Sequence, residues 1–482
     1  DEPTYNLIQS THTLGIFQVE SPGQRELVGK LAPKTFTDLI IDISLFRPGP
    51  VKSDMIRPFL NARHGWNPAQ IIHPDLYSIL AETEGVVVFH EQVISIIATM
   101  TGISLAAADE KRRALGSKEG QQEACDWFFP AATARGYELN IVTEIWDVLR
   151  AFASFGFCKA HAAAFALPTY QSAYLKTHHP AAFIAGVLTH DPGMYPKRLM
   201  IDEARQLGVG LAPLDINYSG EQYTVERDEK GGDHVRIALT SVSGISDKEV
   251  TSIIAGRPYI DLSDFYRRSG ASHPVIETLI LTGAFDRVHS LSDGAINHRD
   301  LLLHLSDLTR SPVATVAGSQ MVFGFAPPDL AASGLPPMGA AEKVRNEVER
   351  LGMDITHHML EFYAPFLNAI GAVKSSDLLS LRSQSEVLIA GIKVAMQTPP
   401  VRSGRRVIFL TLDDGYGCTD STFFSGAQEG FASTLYGSSI LLVRGKTRRT
   451  GDRGISINAS GAWDLRQAYE KWSRKLLETA AK

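Results

Sequence analysis

Two clusters of cations stand out for what they can do chemically. Residues 108–118 read Ala-Asp-Glu-Lys-Arg-Arg-Ala-Leu-Gly-Ser-Lys, so Arg112 and Arg113 are followed within a turn or two by Lys118. Adjacent guanidinium forks match phosphate oxygens bidentately, and a triphosphate is the ligand such a group fits. A solvated basic helix end that complements the helix dipole explains the same residues with no ligand at all. Residues 155–166 read Phe-Gly-Phe-Cys-Lys-Ala-His-Ala-Ala-Ala-Phe-Ala, a glycine turn entering an alanine-rich helix. Free N–H groups at such a start attract phosphate, and Lys159 and His161 add charge and donors. Cys158 and His161 have zinc-like spacing, but no second pair stands nearby.

Three further patterns suit nucleic acid or a partner protein. Val242-Ser243-Gly244-Ile245-Ser246 between helical stretches is a glycine turn whose amides can approach a DNA phosphate unobstructed, as Ser243, Gly244 and Ser246 would here. An ordinary helix connection reads the same way. Gln320-Met321-Val322-Phe323-Gly324-Phe325 places large apolar side chains inside a Pro-, Gly-, Ala- and Ser-rich stretch. A linker has no reason to display them unless something covers them, a partner or the protein itself. Arg402, Arg405, Arg406, Arg444, Lys446, Arg448 and Arg449 are expected at strand ends and turns, with Phe423, Phe424 and Tyr436 nearby. Charge plus base stacking suits a single-stranded path, and ordinary charged turns around a partly aromatic core are the plain alternative. Asp413-Asp414-Gly415 reads as a turn and not as a metal pair.

The elements that carry these groups change character along the chain. The first two hundred or so residues read as helices with polar joints, including apolar stripes over 91–98 and 141–149. Gly85-Val86-Val87-Val88-Phe89 is the one expected strand there. Short helices separated by glycine turns span about 235–286, a linker about 309–341, and a helical stretch about 341–381. Five short strands follow, over 387–394, 407–412, 421–424, 439–444 and 455–458, which suits a small oligonucleotide-binding barrel. A basic helix over 466–475 ends the chain.

Composition bounds the rest. The chain has 482 residues, 44% apolar, enough for several cores. Net charge is −6, yet residues 381–482 sum to about +6 and the remainder to about −12. A locally basic face can bind phosphate on an acidic molecule. Cys125, Cys158 and Cys418 form no C-x-x-C pair, so no disulfide framework or zinc site is implied, and a reducing cytoplasm fits. No apolar run approaches the roughly 20 residues of a membrane span, so a soluble protein without a membrane partner is expected. The sequence opens on Asp1-Glu2-Pro3 and runs at once into an amphipathic pattern, which reads as the start of a fragment.

Taken in order, Leu14-Gly15-Ile16-Phe17-Gln18-Val19-Glu20-Ser21, Leu45-Phe46-Arg47-Pro48-Gly49-Pro50 and Phe89-His90-Glu91-Gln92-Val93 resemble the fingers of the bacterial C-family DNA polymerases, the DNA polymerase III alpha subunits. Arg112-Arg113-Ala114-Leu115-Gly116 and Gly156-Phe157-Cys158-Lys159-Ala160-His161 continue the resemblance in the family's order, which covers nearly the whole chain. It implies that Arg112, Arg113, Lys118, Lys159 and His161 face a deoxynucleoside triphosphate or the template, with Lys159 and His161 as candidate proton donors to pyrophosphate. It also implies a helix-hairpin-helix ahead of Leu281-Thr282-Gly283-Ala284-Phe285-Asp286, and sliding-clamp binding by Gln320, Met321, Phe323 and Phe325. Barrel residues Arg405, Arg406, Arg448 and Arg449 would hold DNA. The implied fold is multidomain and mainly α, followed by a small β-barrel of OB type. Its expected parts are fingers over 1–215, a helix-hairpin-helix region over 216–308, a linker with a clamp peptide over 309–341, a helical connector over 342–381, the barrel over 382–465 and a basic helix over 466–482.

The family transfers nucleotides with magnesium held by palm aspartates, an Asp-x-Asp pair and a later Asp. All would precede Asp1, so this chain is expected to hold no catalytic residue or metal of its own and to bind primer-template DNA, nucleotide, clamp and other replication or repair subunits. Replicative members carry Asn at the position of Cys158 and Thr-Gly-His-Pro where Ile355-Thr356-His357-His358 stands. These departures, with the 397–406 segment, lean toward an error-prone paralogue. Two other classes remain open. One is a stand-alone, non-catalytic DNA-binding and clamp-binding factor. The other is a metabolic enzyme with a small phosphorylated substrate, for which the absence of salt-dependent DNA affinity would speak.

Overall fold

The computed structural model describes residues 1–46, 55–152, 157–191, 193–310, 329–398, 406–449 and 454–480. The chain divides into two compact units, Asp1–Thr177 and His178–Arg448 resuming at Ile455.

The first unit is helical because its apolar residues recur every three or four positions. In helix His90–Thr101 the buried side chains Val93, Ile96, Ile97 and Met100 line one face. Helix Leu139–Phe152 buries Val142, Ile145, Trp146, Leu149 and Phe152 in the same way, and both stripes feed one core. Gly102, in the left-handed region at φ 75°, stops the first helix, and Ser104 caps helix Leu105–Ala114 by accepting from the Ala107 amide. The two helices meet at 113°, and in the basic last turn of the second Arg113 is exposed while Lys111 and Arg112 are partly covered. Among the described residues no single helix is long and apolar enough to cross a membrane.

The expected strand at Gly85–Phe89 is not one. Phe89 makes a single parallel bridge to Phe157, and the residues before it run as coil after a short 3-10 turn. A β-branched run needs an extended partner to become a strand, and here it meets one residue.

The second unit begins with helices Pro180–His190 and Lys197–Gln206 and a small sheet that the sequence patterns did not disclose. Strands β1 (Gly210–Ala212), β2 (Thr224–Arg227) and β3 (Asp233–Arg236) run in the order β1-β3-β2. Three- and four-residue strands carry too little alternation to register as a pattern. Helices Asp247–Ala255, Leu262–Arg268 and His273–Leu281 follow, separated by turns as expected. The stretch expected to be helical over 341–381 is broken up. Helix Ala340–Leu351 stops at Gly352 (φ 69°), and beyond it lie 3-10 turns and the short helix Ala364–Ala369.

Strands β4 (Glu386–Gln397), β5 (Ile408–Asp413), β6 (Cys418–Phe423), β7 (Ile440–Arg449) and β8 (Ile455–Asp464) close a barrel in the order β4-β5-β6-β8-β7. Closure rests on β4. Its first half pairs with β7 and its second with β5, and a register shift between Lys393 and Ala395 bends it from one neighbour to the other. Helix Leu465–Ala480 lays Tyr469 and Trp472 against Phe366 outside the barrel.

Gly391 sits at the β4 bend, where an added Cβ would lie 2.6 Å from the Leu412 Cβ and 3.0 Å from the Asp413 carbonyl oxygen. Gly391→Val is therefore expected to destabilise the barrel by about 1–3 kcal/mol through overpacking. Urea unfolding followed by barrel fluorescence measures this, and a variant as stable as wild type would show that β4 and β5 need not approach so closely.

Candidate nucleotide and nucleic-acid interface

In the first unit the candidate cations border the start of helix His90–Thr101. The His90 amide donates to the Phe157 carbonyl at 2.9 Å, which pins the 157–161 segment there. Glu91 then accepts from the Lys159 amide at 3.0 and 3.1 Å and from the Cys158 thiol at 3.4 Å, capping helix Lys159–His178. The Lys159 ammonium reaches the other way, to both oxygens of Glu82 at 2.6 and 2.7 Å, above the Phe89 ring. His161 lies between two rings, 5.1 Å from Phe157 and 4.5 Å from Phe165, and Phe165 stacks on Phe17 at 5.7 Å.

Arg112 and Arg113 share one carboxylate. Asp109 accepts from Arg112 Nε at 2.9 Å and from Arg113 Nη2 at 2.6 Å, and these bonds, that of Arg112 foremost, hold it below the usual carboxylate range. Arg113 is 72% exposed and Arg112 19%, so the pair presents one exposed and one largely covered fork, both held by Asp109. Burial, then the charge of Arg112, lowers the pKa of His90, which ties this pair to the same helix start as Lys159. Lys118 opens the next helix, exposed beside its Ser117 cap. The carboxylates of Glu82 and Glu91 escaped the sequence reading. Glu82 stands 77 residues from the lysine it holds, and no local pattern marks it.

In the second unit the 242–246 turn has the shape its glycine requires. Gly244 is exposed at φ 80°, and nothing lies within 4 Å of the position a Cβ would take. Ser243 N–H donates to the Arg350 carbonyl at 2.9 Å, and Ser246 N–H donates to Glu249 at 2.9 Å within a capping box. Burial works to raise the Glu249 pKa, but the amides of Ser272 and Ser246 outweigh it and push it down to about 2. Of the three residues expected to meet DNA, Gly244 thus keeps its backbone open while the other two amides are engaged within the protein.

On the barrel, Arg448 and Arg449 are the last two residues of β7, at a strand end as expected, while Arg444 and Lys446 lie within the strand. Alternation puts Arg444, Lys446 and Arg448 on one exposed face, with Gly445 and Thr447 inward. Phe423 is fully buried in the barrel core, whereas Phe424 and Tyr436 are exposed, as are Phe409 and Trp463, which the sequence reading did not single out. Arg406 is exposed ahead of β5. Arg402, Arg405, Gln320, Met321, Phe323 and Phe325 lie outside the described residues.

With this geometry in view, three family models match consecutive parts of the chain. The bacterial DNA polymerase III alpha subunit finger domain matches residues 1–136, a helix-hairpin-helix motif 208–292, and an OB-fold nucleic acid binding domain 387–465. The error-prone DNA polymerase of Symbiobacterium thermophilum is 33% identical over 95% of the chain and 46% of its own length. That of Bdellovibrio bacteriovorus is 31% identical over 94% and 44%, and the DNA polymerase III subunit alpha of Vibrio cholerae 31% over 99% and 42%. The chain belongs to the bacterial DNA polymerase III alpha family. It spans less than half the length of these curated relatives.

A DNA polymerase III alpha relative raises the question of magnesium. Among the described residues the one group of His and carboxylates with ligand atoms close enough to share an ion is Asp202, His358 and Asp413, all buried. Arg198 Nη2 stands 3.2 Å from Asp413 Oδ2 and 3.3 Å from His358 Nε2, so a guanidinium fills the space among them. A buried, arginine-filled site cannot receive a nucleotide's magnesium. Asp414 points elsewhere, to the Ser375 amide and hydroxyl at 2.7 and 2.6 Å.

The Glu91 cap is testable without any ligand. Glu91→Ala is expected to speed hydrogen exchange at the Lys159 amide about fivefold, the effect of losing one cap of about 1 kcal/mol. Unchanged exchange would mean that the helix start is held by something other than Glu91.

Proposed function

We propose that this chain is the nucleotide- and DNA-gripping portion of a bacterial DNA-directed DNA polymerase of the III alpha type, serving replication or error-prone synthesis in the cytoplasm. The observation that carries the reading is the order of finger, helix-hairpin-helix and OB-fold modules along one chain. Residues 1–215 act as fingers, in which Arg112, Arg113, Lys118 and Lys159 neutralise triphosphate charge and His161 stands ready as a proton donor. Residues 216–308 meet duplex phosphates at Gly244, and the barrel over 382–465 follows the template strand with the β7 cations and exposed rings. Magnesium would be held by palm carboxylates outside this chain, and when bound would activate the primer hydroxyl and steady the leaving pyrophosphate. The clamp peptide over 320–325 and contacts with other replication or repair subunits complete the assignment.

The ligand-free arrangement gives the nucleotide step a definite form. An incoming phosphate takes Lys159 from Glu82 and the arginine pair from Asp109, exchanging one anion for another of higher charge. In the full-length polymerase, Glu82→Gln is expected to tighten nucleotide binding about twofold to fivefold, the worth of a half-exposed ion pair. Arg113→Ala is expected to weaken it. Nucleotide affinity from single-turnover incorporation reads both, and equal affinities in wild type and both variants would place the triphosphate elsewhere.

Primer-template binding tests the wider reading. Affinity should fall linearly with salt on logarithmic axes, and Arg444→Ala with Arg448→Ala should lower the slope by roughly 0.7 for each single-strand phosphate no longer neutralised. Fluorescence anisotropy across a salt series measures it. Binding that ignores salt, or a double variant with the wild-type slope, would remove the barrel face from the DNA path.

A further inference from the structure

A buried ionic cluster in the second unit has no part in the function above. It lies where helix Lys197–Gln206, the segment around Met353–Tyr363 and the end of β5 meet. Asp202, Asp354 and Asp413 are fully buried there. Arg198 Nη2 stands 3.2 Å from Asp413 and 3.7 Å from Asp202, and its Nε 3.5 Å from Asp354. Arg205 donates to the other Asp202 oxygen and to the carbonyls of Asp354 and Ile355. Asp354 also accepts from the Met359 amide at 3.1 Å, and Asp413 from the Gly415 amide at 3.0 Å. Asp202 Oδ2 and Asp354 Oδ1 are left without a hydrogen-bond donor.

His358 decides what the cluster can hold. Its Nδ1 accepts from the Leu360 amide at 3.3 Å, so the ring's proton is on Nε2. That Nε2–H faces Asp413 Oδ2 at 3.3 Å and Asp202 Oδ2 at 3.6 Å. A histidine bound to a metal through Nε2 needs the opposite arrangement, with Nδ1–H donating outward. The tautomer and the arginine in the centre both speak against an ion.

With a neutral imidazole, three carboxylates face two guanidinium groups, and the cluster is one negative charge in excess where water does not reach. The surrounding titratable groups add no cation. Glu347 is engaged by the Ile355 and Thr356 amides, and Asp414 by Ser375. Ligand atoms of Asp202, His358 and Asp413 lie within 4.8 Å of one another and Asp202 Oδ2 has no donor, so a proton on either carboxyl is placed to bridge Asp202 and Asp413. We propose that Asp202 and Asp413 share one proton, and that with Arg198 and His358 they form a clasp fastening the barrel to helix Lys197–Gln206, which loosens when that proton is lost.

The electrostatics agree with the geometry. Burial foremost, then the charge of Asp413, pushes Asp202 up to about 8. Burial also works to raise Asp413, but His358 and Arg198 outweigh it and leave Asp413 below the usual range. Burial works to lower His358, and the hydrogen bond and charge of Asp413, with the charge of Asp202, outweigh it and raise it. A second ring proton would have to displace the Leu360 amide from Nδ1, so the extra proton stays between the carboxyls. Unfolded Asp titrates near 4 and His near 6.5. The folded protein therefore keeps a proton through neutrality that the unfolded chain has shed. Stability from this site is full below the unfolded pKa and is lost as pH rises through the folded one, about 8 for Asp202.

The test compares thermal midpoints of wild type and Asp202→Asn over the neutral-to-alkaline range. Asparagine supplies a permanent donor in place of the titrating carboxyl, so its midpoint should fall less with pH than that of wild type. In wild type labelled with 13C-aspartate, the Asp202 carboxyl resonance, assigned with Asp202→Glu, should titrate near 8. Equal pH slopes in a folded variant would overturn the proposal, as would an Asp202 carboxyl already ionised in mildly acidic solution. The resonance decides alone if Asp202→Asn fails to fold. A midpoint raised by several degrees on adding zinc or manganese at neutral pH, and not in His358→Gln, would also overturn it in favour of a metal site.

Discussion

Cations gathered close together repel one another unless anions are set among them. This chain meets that constraint with carboxylates placed one by one. Asp109 holds Arg112 and Arg113, Glu82 holds Lys159, Glu249 occupies the start of the helix after Gly244, and Glu386 lies 3.1 Å from Arg444. Carboxylates spent in this way add to the acidic count, so the net charge of −6 does not argue against a polyanionic ligand. What matters is exchange. A phosphate of higher charge displaces an exposed carboxylate at little cost, because half-exposed ion pairs contribute little net stability. Such pairs hold the cations in place and, on the proposed function, leave them available to a phosphate.

The barrel obeys a geometric constraint of a different kind. In this five-stranded barrel β4 serves two neighbours over different halves of its length, shifting register at Lys393 and Ala395. The bend in turn requires Gly391, because Leu412 and Asp413 pass too close for a side chain. Closure leaves the β7 cations in a regular exposed row and sends Phe423 inward while Phe424, its neighbour, remains outside.

Buried and exposed charges are handled by opposite rules in the same chain. On the surface, a single carboxylate holds one cation or two, as Asp109 does, and water absorbs any imbalance. Around Asp202, Asp354 and Asp413 no water is available to do so, and the charge count has to close internally through arginines, a tautomer set by the Leu360 amide, and a proton. The same residue types thus make replaceable partners in the fingers and a fixed fastening beside the barrel.

The sequence by itself determined the order of the parts. Helical stripes, the glycine turn at 244, the five-strand run and the chain of finger motifs are local patterns, and local patterns survive in one dimension. It also marked Arg112, Arg113, Lys159 and His161, because their spacing is short. It misread Gly85–Phe89, since a strand depends on a partner that only folding supplies, and Phe157 offers a single bridge. It placed Arg444 and Lys446 at a strand end or turn and not within β7, since the length of β7 is set by its pairing with β4 and not by its own composition. The partners of those cations, and the clasp that joins Asp202, His358 and Asp413 from three separate segments, were decided by tertiary structure alone. Electrostatic contacts act through space, and nothing in the spacing of residues along a chain records which distant carboxylate will arrive beside which cation.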